Sequence, residues 1–485
     1  MLHIPRAPSP EGAPDTALRL ISNWFDNVCP VWSGFDSSMN MNRKLAEDLW
    51  YSSASVFNAL QSMSASFLSA RMPQMKRTAR DLLHTATVCI QSEVNALNEK
   101  SRLDVLPTGP LFSLFCLGTT VCWLDAGRVG EPFLKAAKAL LQRSPRQSTG
   151  DRDQLEIWSF FDKSLVYWEM LLSVVDDTEA TSSRHPQPPP RNNGEMCTDI
   201  VLHPWTGISS LTSRLFAQSM RLCRTYRRRI TNPTGRAISL SAAMQDIEES
   251  VKLEEQLLDL DFSSMDSINE TGDCRTPWFH LAKVAEAYQM AALLQLYVTF
   301  PDLVSRRLPQ ESQSDQEGHV PWDKWIIPLT LRLVEVLEEI PPDSGSRVMQ
   351  PILYICASTG LRYSSSPPAY SGSRSGDTDA MLEALGLDSS GIDDLLGYVG
   401  QIDEHGGAGP NQPSMQQLAV DITNGRDFIM RRLKVLETNL QPKPILVAQE
   451  LIQAIWAAYD GEAPGGTAVH WFDVMQNKEL RSLFG

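Results

Sequence analysis

Apolar residues recur at helical spacing along most of this chain, and that periodicity narrows the accessible folds more than any other feature. Over residues 44–68, Leu45, Leu49, Val56, Leu60, Met63 and Phe67 keep steps of three, four or seven residues, the pattern of a helix with one apolar stripe. The same spacing runs through 75–97, 154–175, 208–228, 279–300, 325–340, 415–440 and 445–459. Asp15 ahead of Leu18, and Pro321 ahead of Trp322-Asp323, are helix-start signals. Alternating β-branched runs bounded by turns are nearly missing, so no sheet is expected. The predicted class is all-α, a large helical array of roughly a dozen or more helices.

At 485 residues the chain exceeds one core of ordinary size, which implies two to three domains or one extended helical array. Loop insertions rich in Ser, Gly, Pro or acidic residues interrupt the pattern near 178–199, 309–320 and 363–379, and residues 1–14 read as a flexible lead. The formal net charge of −15 argues against a surface built mainly for nucleic acid or anionic lipid. Residues 105–124 carry no charge, but two prolines, two glycines and four hydroxyl residues dilute their hydrophobicity. A buried core helix is expected there, with no membrane span.

Catalytic signatures are missing: there is no GxSxG, Walker loop, dinucleotide fingerprint or HExxH. The acidic doublets Asp176-Asp177 and Asp393-Asp394 lack the third carboxylate of a magnesium-diphosphate motif. Histidines are scattered singly, and His84 and His280 are expected as hydrogen-bonded core or boundary residues. No two of the eight cysteines are separated by two residues, which removes a local zinc site. Several cysteines lie in apolar helical runs and read as buried, reduced thiols. Neither a cofactor, a metal nor a catalytic residue is predicted.

Two charged stretches stand out. Arg221, Arg224, Arg227, Arg228 and Arg229 lie on or just after one helix and form a candidate nuclear-import or phosphate-contacting patch. A solvated helix face ending in cations that suit the negative terminus is the favoured reading, because interleaved aromatics and a DNA-reading module are not evident. Residues 246–270 hold nine carboxylates against Lys252 alone, including Leu257-Leu258-Asp259-Leu260-Asp261-Phe262. That alternation fits an activation segment, or an amphipathic helix packed with its acids outward. Residues 381–398 have a similar mixture.

Several further stretches stand in a fixed order along the chain. They are Cys29-Pro30-Val31-Trp32-Ser33-Gly34-Phe35-Asp36, Ala46-Glu47-Asp48-Leu49-Trp50 and Ala59-Leu60-Gln61-Ser62-Met63-Ser64-Ala65. His203-Pro204-Trp205-Thr206-Gly207-Ile208-Ser209, Leu222-Cys223-Arg224 and 285–297 with Phe300-Pro301-Asp302-Leu303 follow. Leu395-Leu396-Gly397-Tyr398-Val399 and His470-Trp471-Phe472-Asp473-Val474-Met475 complete the set. In this order they resemble the regulatory region of fungal zinc-cluster transcription factors, the fungal-specific transcription factor or middle homology domain.

The resemblance implies a helical regulatory domain over 15–485, acting on transcription in a fungal nucleus and tied to metabolic or secondary-metabolite genes. Implied partners are other transcription regulators or co-activators, and a small-molecule effector. The six-cysteine DNA reader typical of the family has no counterpart, since only Cys29 precedes Cys89. Direct DNA binding is therefore not part of the expectation. A helical enzyme with an unrecognised site and a cytoplasmic scaffold are the competing readings. Trp32, Trp50, Trp205, Tyr288 and Trp471 are expected to seal helix packing. A cavity among these aromatics would be the place for an effector.

Overall fold

A computed structural model of the protein describes residues 15–98, 103–145, 152–175, 202–231, 240–262, 270–307, 322–363, 415–462 and 469–485. The lead 1–14, the three insertions (except Tyr363), both acidic doublets, 381–398 and the 395–399 stretch lie outside them. The helices are α1 (Asp15–Asn23), α2 (Cys29–Trp32), α3 (Met41–Leu49), α4 (Ala54–Ser69), α5 (Met75–Asn98), α6 (Thr108–Leu124), α7 (Glu131–Arg143), α8 (Arg152–Val175) and α9 (Ser210–Thr231). They continue with α10 (Leu240–Leu258), α11 (Trp278–Thr299), α12 (Pro301–Arg307), α13 (Ile327–Glu338), α14 (Pro351–Ser358), α15 (Met415–Asn439), α16 (Pro442–Asp460) and α17 (Trp471–Asn477). No strand forms among the described residues. A single antiparallel bridge joins His203 to Gly207.

Each periodic run forms helix, with one correction. The stretch 44–68 is two helices, because the chain turns between Trp50 and Ser53. Ser53 caps α4 by accepting from the Val56 amide, and Asn40 caps α3 by accepting from Asn42. Short polar side chains at 52 and 53 compete for backbone hydrogen bonds and stop the first helix, although the apolar spacing continues across the break.

α6 covers most of the uncharged run 105–124 and is buried on nearly every side. No helix among the described residues is long and apolar enough to cross a membrane. α11 is likewise buried around its circumference and packs against α9, α10, α13 and α14. Buried apolar side chains from Ile21 to Phe484 form one continuous cluster, with a small satellite around Leu20, Ala65, Ala79 and Leu124. The last three helices belong to that cluster. Trp471 donates from Nε1 to Gln295 Oε1 on α11 at 2.7 Å, and Trp456 donates to the Ser358 carbonyl at 3.0 Å. The Arg432 guanidinium reaches the Leu337 and Ile340 carbonyls where α13 ends, satisfying groups a helix terminus leaves open.

Candidate functional site

Two family-like stretches far apart in sequence meet in the core. The turn 203–207 closes on itself, with His203 and Gly207 exchanging both backbone hydrogen bonds at 3.0 Å. Closing it requires φ of 59° at Gly207, a left-handed conformation that glycine adopts without steric penalty. The turn aims Trp205 at the end of α2. Trp205 Nε1 donates to the Trp32 carbonyl at 2.6 Å, and the two rings meet edge to face at 4.8 Å. The Gly34 amide donates to the Pro204 carbonyl at 2.7 Å.

Beside this junction lies a cavity of about 40 Å³, walled by α2, α6, α8, the 203–207 turn and the segment 480–485. Its aromatic lining is Trp32, Phe115, Trp123, Tyr167, Trp168 and Trp205, and no lining side chain is charged. Tyr167 stacks on Trp205 at 6.1 Å with ring planes 18° apart. Several polar groups in the walls are paired: Trp32 Nε1 donates to Thr119 Oγ1 at 3.2 Å, and Ser164 Oγ donates to the Phe160 carbonyl at 2.8 Å. The Tyr167 hydroxyl is buried without a hydrogen-bond partner among the described residues. Burial also pushes its pKa up, so it stays a neutral donor.

Ser164 and His203 sit 3.2 Å apart and superficially suggest a nucleophile with its base. The tautomer argues otherwise. His203 Nδ1 accepts from the Trp205 and Thr206 amides, each at 3.1 Å, so Nε2 carries the proton and faces Ser164 and the Phe160 carbonyl as a donor. Burial lowers the His203 pKa to about 3, with Lys163 adding to the shift. An imidazole held in this form cannot take the serine proton.

The five arginines of the predicted patch lie in the second half of α9 and are spread over more than one of its faces. Arg221 donates to the Glu169 carbonyl at 3.3 Å, and Arg224 donates to the Val174 carbonyl in the last turn of α8. Arg224 also lies over the Phe472 ring, 5.4 Å from its centroid. Arg227 donates through Nε and Nη2 to Asp473 at 2.9 and 2.7 Å. Arg229 pairs with Asp246 on α10. Arg228 and Arg229 are exposed, whereas Arg221, Arg224 and Arg227 are half-buried among these partners.

Other sequence candidates are placed as follows. Trp32, Trp205, Tyr288 and Trp471 are buried in the core as expected, and Trp50 is half-buried. His280 is buried and bonded to Ser344 at 3.1 Å, but His84 is exposed on α5, which corrects its expected core or boundary position. Cys29, Cys116, Cys122, Cys223 and Cys356 are buried free thiols, and desolvation raises the pKa of each. No metal-binding group of His, Cys, Asp and Glu occurs among the described residues.

The acidic stretch begins as α10, with Leu253 and Leu257 in the core. Two of its acids point inward rather than out. Asp246 meets Arg229, and Glu254 accepts from Tyr297 at 2.8 Å and from Arg307 at 2.7 Å. Sequence reasoning also missed Tyr167 and the contribution of 480–485, because neither stands in a motif.

A family model for the fungal specific transcription factor domain matches residues 19–362, well over half of the chain. The chain belongs to this family. No curated protein and no solved structure matches it. The match includes the α2, α6, α8 and 203–207 walls of the cavity, while 480–485 lies beyond it.

Proposed function

We propose that this regulator acts in the fungal nucleus as a non-enzymatic controller of metabolic or secondary-metabolite genes, through contacts with other transcription regulators or co-activators and through an effector held in the aromatic cavity. The family match over 19–362 carries the regulatory reading. The cavity supports the effector, because it brings the family-like stretches around Trp32 and Trp205 to one aromatic site. None of its lining side chains is a carboxylate, and its nearest imidazole is fixed as a donor, which favours binding over turnover.

Within these 485 residues no cysteines have zinc-cluster spacing, so a zinc-cluster reader of DNA would be supplied from outside them. The exposure of Arg228 and Arg229 at the end of α9 supports a role for that part of the arginine patch in nuclear import. Fluorescent tagging, together with tethering of the chain to an unrelated DNA reader upstream of a reporter, tests the proposal. Nuclear signal and altered reporter output are expected, with a smaller nuclear fraction for the Arg228→Ala/Arg229→Ala variant. Exclusion from the nucleus under every condition would sink it.

A further inference from the structure

We infer that Thr231, at the exposed end of α9, is a phosphorylation site for a serine/threonine kinase that reads arginines, and that its phosphate cancels the cationic patch beside it. The masking half rests on the import reading of Arg228 and Arg229 given above; the modification itself does not.

The sequence supplies the first observation. Arg227-Arg228-Arg229-Ile230 runs directly into Thr231, so guanidinium groups stand two, three and four residues before its hydroxyl. Thr231 is the one serine or threonine of the 485 residues with arginine at both the second and the third preceding positions. A kinase groove lined with carboxylates holds such a substrate through charge-assisted, bidentate hydrogen bonds, and these fix where the hydroxyl falls. In a chain of net charge −15, an acidic groove repels most of the surface and selects this end of α9.

The structure supplies the second. Residues 228–231 are all exposed, and four successive residues cover the whole circumference of a helix. The last turn of α9 therefore projects past the helices that hold the turns before it. Up to Arg227 the helix is anchored: Cys223 is buried, Tyr226 packs on Phe300 with ring centroids 4.6 Å apart, and Arg227 is bound to Asp473. Beyond that point Arg229 still pairs with Asp246, but its side chain is 41% exposed, and the apolar Ile230 is 46% exposed. The Thr231 hydroxyl donates to the Arg227 carbonyl at 3.0 Å, filling one acceptor that a helix end leaves open. A final turn exposed on every side opens at little cost, as entry into an enzyme groove requires.

Magnesium-bound ATP is the co-substrate. Thr231 Oγ1 attacks the γ-phosphorus, the hydroxyl proton passes to a carboxylate of the kinase, the bond from that phosphorus to the β,γ-bridging oxygen breaks, and ADP leaves. The product carries a charge of about −1.5 to −2 at neutral pH, set against the two guanidinium charges of Arg228 and Arg229. It also loses the proton given to the Arg227 carbonyl and places an anion at the negative end of the helix, so it gains most by turning back on cations one turn earlier. Arg228 lies three residues back and Arg227 four, the separations that meet on a helix surface. A patch neutralised in this way offers little net charge to an acidic receptor groove.

The purified full chain is incubated with magnesium-ATP and the catalytic subunit of cyclic-AMP-dependent protein kinase, which reads arginine at those two positions. It is expected to take up phosphate at Thr231, mapped by mass spectrometry. Thr231→Ser should accept the phosphate and Thr231→Ala should lose that labelling. Arg228→Ala should lower kcat/KM about tenfold, the loss of one charge-assisted hydrogen bond in the groove. In fungal cells, tagged Thr231→Glu should show a smaller nuclear fraction than tagged Thr231→Ala. Chain recovered from such cells under phosphatase inhibition should carry phosphate on Thr231.

A folded chain left unlabelled at Thr231, or labelled there only after thermal unfolding, would overturn the site, as would a Thr231 that stays unmodified in cells under every growth condition. Equal nuclear fractions for Thr231→Glu and Thr231→Ala, beside a reduced fraction for Arg228→Ala/Arg229→Ala, would end the masking claim and leave the import reading standing. If that double variant keeps the wild-type fraction, the import reading fails and masking with it. The labelling of Thr231 is read by mass spectrometry alone, so modification and import can fail separately.

Discussion

His203 and His470 solve the same local problem at two places in the core. Each Nδ1 accepts backbone N–H groups that open a turn or helix, from Trp205 and Thr206 in one case and from Phe472 at 3.2 Å in the other. Burial lowers both pKa values to about 3, with Lys163 adding at His203 and Arg227 at His470. An ordinary histidine titrates near 6.5, so between pH 6.5 and 3 the unfolded chain binds protons that the folded chain refuses. The stabilisation by the neutral rings is fully present above pH 6.5 and is lost progressively as pH falls toward 3. Stability measured by urea unfolding should therefore fall little between pH 7 and 6.5, and by about 1.4 kcal/mol per pH unit for each histidine from about pH 5.5 to 4. His203→Asn keeps a short acceptor near the turn and should lessen that slope by one histidine's share. A parallel pH profile for wild type and variant would contradict this.

Among the elements, α6 shows how one residue sets the cavity's shape. Gly118 lies against the Trp168 indole so closely that a Cβ there would overlap the ring. Trp168 consequently lies across α6 and forms a cavity wall. Gly118→Ala gains helix propensity but must drive the indole away, with an expected net loss of about 2 kcal/mol. Thermal unfolding should show a lower midpoint, with altered tryptophan fluorescence; a midpoint equal to wild type would refute the packing account.

Helix α10 makes a related point about charge. Its acidic composition was legible, but the direction of each acid was not. Arg229 and Arg307 come from other helices and decide that Asp246 and Glu254 turn inward. The break between α3 and α4 was hidden for a similar reason, since a change of chain direction leaves the apolar spacing intact.

On the scale of the whole molecule, the family match ends at residue 362 but the core does not. Trp471 lies wholly buried against α11, Trp456 closes over the end of α14, and Arg426 pairs with Asp460 while reaching the Leu361 carbonyl. A chain ending at 363 would expose these contacts and strand the buried amide of Gln295. It is expected to be insoluble or to lose its cooperative thermal transition. A soluble 1–363 fragment that melts cooperatively near the full chain's midpoint would show that α15–α17 are dispensable.

Sequence alone determined the class, the placement of most helices and the aromatic character of the core, because 3.6-residue periodicity and residue size are local properties that survive without knowledge of neighbours. It also named Trp32 and Trp205 without showing that they touch. Their meeting depends on a turn closed by a positive φ at Gly207 and on helices separated by more than a hundred residues. Only the tertiary structure decided which arginines of α9 face partners, that His203 is a fixed donor, and that Tyr167 stands unpaired beside a segment from the far end of the chain. Those are properties of pairs and of enclosed space, and burial and hydrogen bonding are set by what the rest of the chain brings alongside.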